Sequence, residues 1–419
     1  MSKQPRDHRP YIPPVTRIQL PEGNLKQRLI LLVILLLIAG GSIAMGVRYA
    51  LNKEPGWQEV QAVSNQRSCA EDFVFLYECG STGASATAEH KGVTALYSQL
   101  TQDAYAIFTA EEATQKQNVY DLNFHVNEPI AVDPVLYRAL ELLVSSGCRY
   151  PFLAPVVREY SSVFLATTDG EAALYDPVKN PERAYYVQQS LAFAKDPEMV
   201  SLELLEDNLV KLQVADVYLT YAQENGITVF FDFGWMKNAF IVDYLADNLT
   251  QHGYTNGYLV SYDGFTRNLD TREETYAVNL FDRMDNTISM PVQLTYTGPM
   301  SIVSLRNYPL SDKDRWNYYA YEDGTVTSVY LDSATGMSAS ATDNLVSYSE
   351  KYSCAEILLR TAPLFLSEFL NREQILELEN QKVHSIWAEE NRLFHTQENA
   401  MLTLLAESGG GDYELHTAR

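Results

Sequence analysis

Histidine, cysteine and positive charge are all scarce in this chain of 419 residues, which holds seven His, four Cys, and 31 Lys+Arg against 54 Asp+Glu. The histidines (His8, His90, His125, His252, His384, His395, His416) show no metal-ligand spacing, and the sequence has neither a nucleophile elbow nor a Walker-type phosphate loop. Hydrolase and nucleotidase readings are thereby excluded at the level of motif. Four cysteines cannot staple a chain this long. Cys69 and Cys79 are close enough in sequence for pairing to be open, whereas Cys148 and Cys354 sit in apolar helical surroundings that read as buried thiols. A net charge of −23 repels nucleic acid and anionic lipid from most of the surface. Repeats and low-complexity stretches are absent between Phe73 and Leu405, which excludes a solenoid.

One long hydrophobic run is present. From Leu29 to Val47 no residue is charged, with Lys26 and Arg28 before the run and Arg48 after it. As a helix it reaches roughly 28 Å, the thickness of a bilayer core, and its apolar character on every side predicts a single transmembrane helix. Ahead of it Lys3, Arg6, Arg9, Arg17, Lys26 and Arg28 face only Asp7 and Glu22. The positive-inside tendency therefore keeps residues 1–28 cytoplasmic and sends the remainder out. Without that tail the chain carries 25 Lys+Arg and 52 Asp+Glu, a net −27. Such an exterior suits an extracytoplasmic protein partner and no nucleic acid.

The rest divides into a linker over 48–68, one large domain over 69–405, and a flexible C-terminal tail over 406–419 opened by Ser408-Gly409-Gly410-Gly411. Hydrophobic residues at 46% of the chain, with 28 Tyr, can fill a sizeable core. Asp133-Pro134 caps and opens a helix through Leu136, Leu140 and Leu143 that stops at Gly147. Val229-Phe230-Phe231 predicts a buried strand, Gly257 to Tyr262 another, and Met290 to Tyr308 a hairpin around Gly298. The fold class is α+β.

Gly226 to Asp232 followed by Gly234 and a helix from about Lys237 to Gly253 joins a strand, a tight turn and a helix start. Free amides, an ammonium and a close glycine suit an anion or pyrophosphate. These residues resemble the FAD:protein FMN transferase (ApbE) family. Asp232-Phe233-Gly234-Trp235-Met236-Lys237-Asn238 with Asp243 is similar to that family's D-x-G-G-x-x-K-G and following Asp, and Leu122-Asn123 to the end of its S-E-I-S-x-L-N. Val260 to Gly264 resembles its strand ending in G-G, Tyr330 to Gly336 its H-x-x-D-P-x-T-G, Ala355-Glu356 its A-D-A-x-x-T, and Val383 to Phe394 its closing hairpin.

The resemblance implies an ApbE-like mixed-sheet domain with packed helices. It also implies an FAD site at Lys237, Asp232, Gly234, Asn123, Asp332 and Thr335, and a divalent metal at Glu356. The departures fall on the chemistry: Val329 stands for the family's histidine, Ser333 for its proline, Asp263 for a glycine, and Arg360 for a threonine beside Glu356. A guanidinium near Glu356 predicts competition for its carboxylate and loss of the Mg2+ site. No catalytic residue is assigned. The expected function is a membrane-anchored, non-catalytic flavin-binding or protein-interaction module, and the alternative is an active divergent transferase. Ser81-Thr82-Gly83-Ala84-Ser85 resembles the acceptor sequence of such transferases, but the preferred reading is a strand-to-helix turn freed by Gly80 and Gly83.

Overall fold

The structure, a computed structural model, describes Val33 and residues 54–418 other than Thr82, Asp285 and Asn286. The expected transmembrane run Leu29–Val47, apart from Val33, and the basic tail lie outside the described residues. Among those described, no helix is long and apolar enough to cross a membrane.

Residues 54–419 form one compact unit. Its centre is a sheet of nine strands: β1 (Gly56–Glu59), β2 (Phe73–Cys79), β3 (Gly257–Ser261), β4 (Phe265–Asn268), β5 (Met300–Arg306), β6 (Asn344–Ser349), β7 (His384–Glu389), β8 (Arg392–His395) and β9 (Glu414–Thr417). Their order in the sheet is their order in the chain. Every neighbouring pair is antiparallel except the last, β8 and β9. Alternation along the strands sorts side chains to two faces. Phe75, Leu259, Val303, Leu345 and Trp387 face the main core, and Ile302, Val346 and Ile386 face a second one.

Ten helices are described: α1 (Ala86–Phe108), α2 (Val119–Phe124), α3 (Pro134–Ser146), α4 (Ala154–Leu165), α5 (Asp169–Tyr175), α6 (Pro181–Ala194), α7 (Asp216–Asn225), α8 (Lys237–Gln251), α9 (Cys354–Phe365) and α10 (Arg372–Asn380). Helices α1, α8 and α9 cover the main-core face with Val93, Tyr97, Ile241, Leu245, Ile357 and Leu358. The other face is covered by a three-stranded sheet of Thr275–Met284, Thr287–Thr297 and Met401–Leu404. Helices α4 to α6 build a smaller third core around Val156, Tyr160, Val187 and Leu191. The mixed α+β class is as the sequence implied. Helix α3 starts on an Asp133 cap and ends at Gly147 with φ +69°, also as expected.

Four local expectations need correction. Val229-Phe230-Phe231 is irregular, with a bend at Phe230, and pairs with no strand, because the Asn123 side chain takes its backbone groups (below). Met290–Tyr308 is not a hairpin: Thr287–Thr297 pairs within the covering sheet while β5 belongs to the central one, so the Gly298 turn passes the chain between sheets. The region expected as linker contains β1, zipped to β2 from Gly56↔Cys79 to Glu59↔Leu76. The expected C-terminal tail contains β9, whose Leu415 packs on the second core, and Gly410 fits a turn where a Cβ would meet the Pro291 carbonyl at 2.2 Å. Cys69 and Cys79 are both buried and are not joined by a disulfide: Cys79 ends β2 and Cys69 precedes its first residue by four, a separation along the extended strand that excludes a bridge.

Candidate functional site

The segment from Gly226 to Lys237 is held open by side-chain hydrogen bonds in place of a ladder. Asn123, buried on α2, accepts from Phe230 N (2.7 Å) and Phe231 N (3.0 Å) through Oδ1, and its Nδ2 donates to the Phe231 carbonyl (2.8 Å) and Val119 O (2.9 Å). All its polar capacity is used, so Asn123 shapes the site wall and offers nothing to a ligand. Asp232 Oδ1 then accepts from Gly234 N (3.2 Å), and Gly234 turns the chain with φ +54° into a single turn of 3₁₀ helix, Gly234–Met236, that runs into α8 at Lys237. Burial raises the Asp232 carboxyl above its ordinary range, and Lys237 opposes that rise.

Two cavities meet at Gly234, Trp235 and Trp316. The first, about 460 Å³, is mainly apolar, with Tyr150, Phe164, Ile227, Val229 and Val329 in its walls and Asp232 at its edge. Trp235 packs edge-on against Tyr330 at 4.9 Å and lies 6.2 Å from Tyr150. The second, about 210 Å³, is polar and brings together Asp72, Lys237, Asn238, Asp263, Lys313 and Asp314. Beneath it Arg306, almost fully buried, pairs with the buried Asp314 and donates to the Tyr262 carbonyl at 2.8 Å.

Asp263 sits on the tight turn between β3 and β4. Gly264 continues that turn with φ +110°, where a Cβ would come within 2.3 Å of the Ser304 carbonyl. Asn238 Nδ2 donates to Asp263 Oδ2 at 2.9 Å. The remaining oxygens, Asp263 Oδ1 and Asn238 Oδ1, are buried without a hydrogen-bond partner. Burial pushes the Asp263 carboxyl up to about 6, against the nearby Ser261 hydroxyl and the hydrogen bond from Asn238, and the nearby Asp72 adds to the rise. Asp72 is itself raised by burial and lowered by Lys237. The polar cavity therefore offers two ammonium groups, a carboxyl that titrates near neutral pH, and two idle acceptors.

The other residues implied by the resemblance stand apart from these cavities. Asp332 and Thr335 close a turn on themselves: Asp332 accepts from Ala334 N (2.8 Å) and Thr335 Oγ1 (2.9 Å), and Gly336 N donates to Asp332 O (2.7 Å). Glu356 forms a capping box at the start of α9, its Oε2 accepting from Ser353 N (3.0 Å) while Ser353 Oγ accepts from Glu356 N (3.3 Å). Arg360 does not compete for that carboxylate, as the sequence suggested. It donates to the Glu356 main-chain carbonyl (2.6 Å) and lies over the Tyr352 ring, because a side chain four residues on reaches back along the helix. Asp243 is equally engaged, accepting from Arg267 (2.5 Å), Cys354 N (2.9 Å) and Ala355 N (2.8 Å). Among the described residues no group of three or more His, Cys, Asp or Glu side chains is disposed to hold a metal. With Glu356 and Asp243 bound to backbone amides and Asp243 also to a guanidinium, the donors present do not fit a divalent ion. Ser85 caps α1, accepting from Ala88 N at 3.3 Å.

Asp72, Lys313 and Trp316 were not singled out by the sequence. They come from two stretches far apart in the chain, and nothing in their local spacing marks them.

The architecture is that of the ApbE flavin transferases, in divergent form. Among solved structures it is similar to the ApbE protein of Thermotoga maritima, with a TM-score of 0.52 and 14% identity over 83% of this chain and 96% of that one. It is likewise similar to the flavin transferase ApbE of Vibrio cholerae, at 0.51 and 12% identity over 85% and 98% of the two chains. A mutant of the latter gives 0.52 and 13% over 86% and 99%. At such identities the likeness is one of fold. No protein-family model matches the chain, and no curated protein matches it in sequence.

Proposed function

We propose that this domain is a flavin-binding module that has kept the transferase fold and lost the transfer chemistry, held outside the cytoplasm by the Leu29–Val47 segment. The observation that carries this reading is the contrast between a two-part cavity lined for binding and reactive positions turned to packing or capping. Trp235, Trp316 and Tyr150 suit a flat heterocycle, and Lys237 at the start of α8 suits its phosphate. The idle oxygens of Asp263 and Asn238 suit N–H donors of the ligand. FAD supplies redox and group-transfer chemistry where an enzyme uses it. Here Val329 in the cavity wall can neither accept nor give a proton, and Glu356 is tied into its capping box.

Calorimetric titration of the full chain with FAD tests the reading. Lys237→Ala is expected to weaken binding by about tenfold, the loss of one charge-assisted contact. Unchanged affinity in that variant rejects the assigned site.

A second reading rests on Asp263, whose free buried oxygen and pKa of about 6 are the properties of a general base. On that reading the chain still moves FMN to a Ser or Thr of an extracytoplasmic protein. Asp263→Asn would then abolish flavin labelling of the acceptor while leaving FAD affinity intact.

A further inference from the structure

Away from those two cavities a third, about 470 Å³, lies between the central sheet at β1, β3 and β4 and the covering sheet. Four aromatic rings stand around it. The Trp57 ring is 5.9 Å from that of Tyr258 and 6.2 Å from that of Tyr276, and Tyr258 and Tyr276 are 6.0 Å apart. Tyr296 stacks on Tyr276 at 5.9 Å. The planes of Trp57 and Tyr276 meet at 88°, and those of Tyr258 and Tyr276 at 77°. All four of these residues line the cavity, and Trp57 is left 44% exposed.

The surroundings are acidic. The connection from Asp270 to Tyr276 carries Asp270, Glu273 and Glu274 against Arg272, and Glu78 stands beside it on β2. A ligand drawn here is therefore a cation. The negative charge is nonetheless engaged at close range. Asp270 accepts from Arg272 Nε (2.9 Å), Arg272 Nη2 (2.6 Å) and the Tyr276 hydroxyl, and Glu78 accepts from Arg272 Nη1 (2.6 Å). The lining is otherwise Val260, Ala277, Val278 and threonine hydroxyls. The polar side chains of the lining are neutral threonine and tyrosine hydroxyls, with no carboxylate among them to pair a primary ammonium, whereas an alkylated ammonium needs no acceptor and is attracted by ring faces.

We infer that this cavity is an aromatic cage for a quaternary ammonium, the trimethylammonium head of a choline-type ligand. The site is independent of the flavin cavities, so its test stands whatever FAD does. The measurement is titration of the full chain in maltoside micelles with choline, followed by calorimetry and tryptophan fluorescence. The comparison ligand is choline's neutral tert-butyl isostere. Saturable choline binding, at least about tenfold tighter than the isostere and lost by about tenfold or more in Trp57→Ala at unchanged melting temperature, is the expected result. Tyr258→Leu is the second variant, with the same expected loss, should Trp57→Ala fold poorly. Equal binding of the isostere, absence of saturation, or full affinity in both variants overturns the inference. Given binding, displacement of choline by phosphatidylcholine vesicles assigns a lipid headgroup as the source. Failure of such vesicles to compete, with free choline still bound, assigns a soluble choline-type ligand.

Discussion

Asn123 substitutes a side chain for a strand partner, and the site wall depends on it. Replacing it by Leu strands two buried amides and a carbonyl, so a loss of about 3 kcal/mol in urea unfolding is expected. A loss under about 1 kcal/mol would show that the segment finds other partners. Asp263 acts through its charge. Its carboxyl is raised from 3.8 to about 6 in the folded state. Below pH 4 both folded and unfolded chains hold the proton. Between pH 4 and 6 the unfolded chain releases it first, so stability falls as pH rises through that window and levels off above it. Asp263→Asn removes this contribution, and the variant should gain about 3 kcal/mol over the parent at pH 8 and little at pH 3.5. An identical pH dependence in parent and variant would refute the burial of that carboxyl. Neither role was legible in the sequence. Asn123 looked like a ligand-binding residue and Asp263 a lost glycine, because what each side chain touches lies a hundred or a few dozen residues away.

The first turn of helix α9 is given over to capping. Ser353 and Glu356 exchange hydrogen bonds with each other's amides, and Asp243 on α8 accepts from the next two free amides of the same helix start. Ser353→Ala should cost about 1 kcal/mol of unfolding free energy. Glu356→Gln, which keeps an acceptor for the capping box, should leave FAD affinity unchanged; weaker binding would return Glu356 to the ligand site. Helices of this kind were readable because their signals are local: Asp133-Pro134 to Gly147, and the Lys237 to Gly253 pattern, appear at nearly their predicted bounds. Strands fared worse for the opposite reason. Val229-Phe231 has the composition of a strand but no neighbour to pair with, and Met290–Tyr308 has hairpin alternation but delivers its halves to two sheets. At the ends, β1 and β9 have only four residues each, too few for a two-residue period to stand out beside proline and glycine.

Across the whole molecule, a central sheet whose strands follow chain order places the β3–β4 turn beside the start of α8, and this juxtaposition makes the polar cavity. Asp232, Gly234 and Lys237 were legible because they lie within one strand-turn-helix stretch. Asp72, Lys313 and Trp316 were not, since only the assembled fold carries their loops to the same place. On the proposed function, this cavity binds flavin without a metal, since Glu356 and Asp243 are engaged at the start of α9. The most direct test is calorimetry of FAD binding to the full chain in detergent, with and without Mg2+. Saturable binding with the same affinity in both conditions is the predicted result; binding that requires Mg2+, or no binding at all, would contradict it.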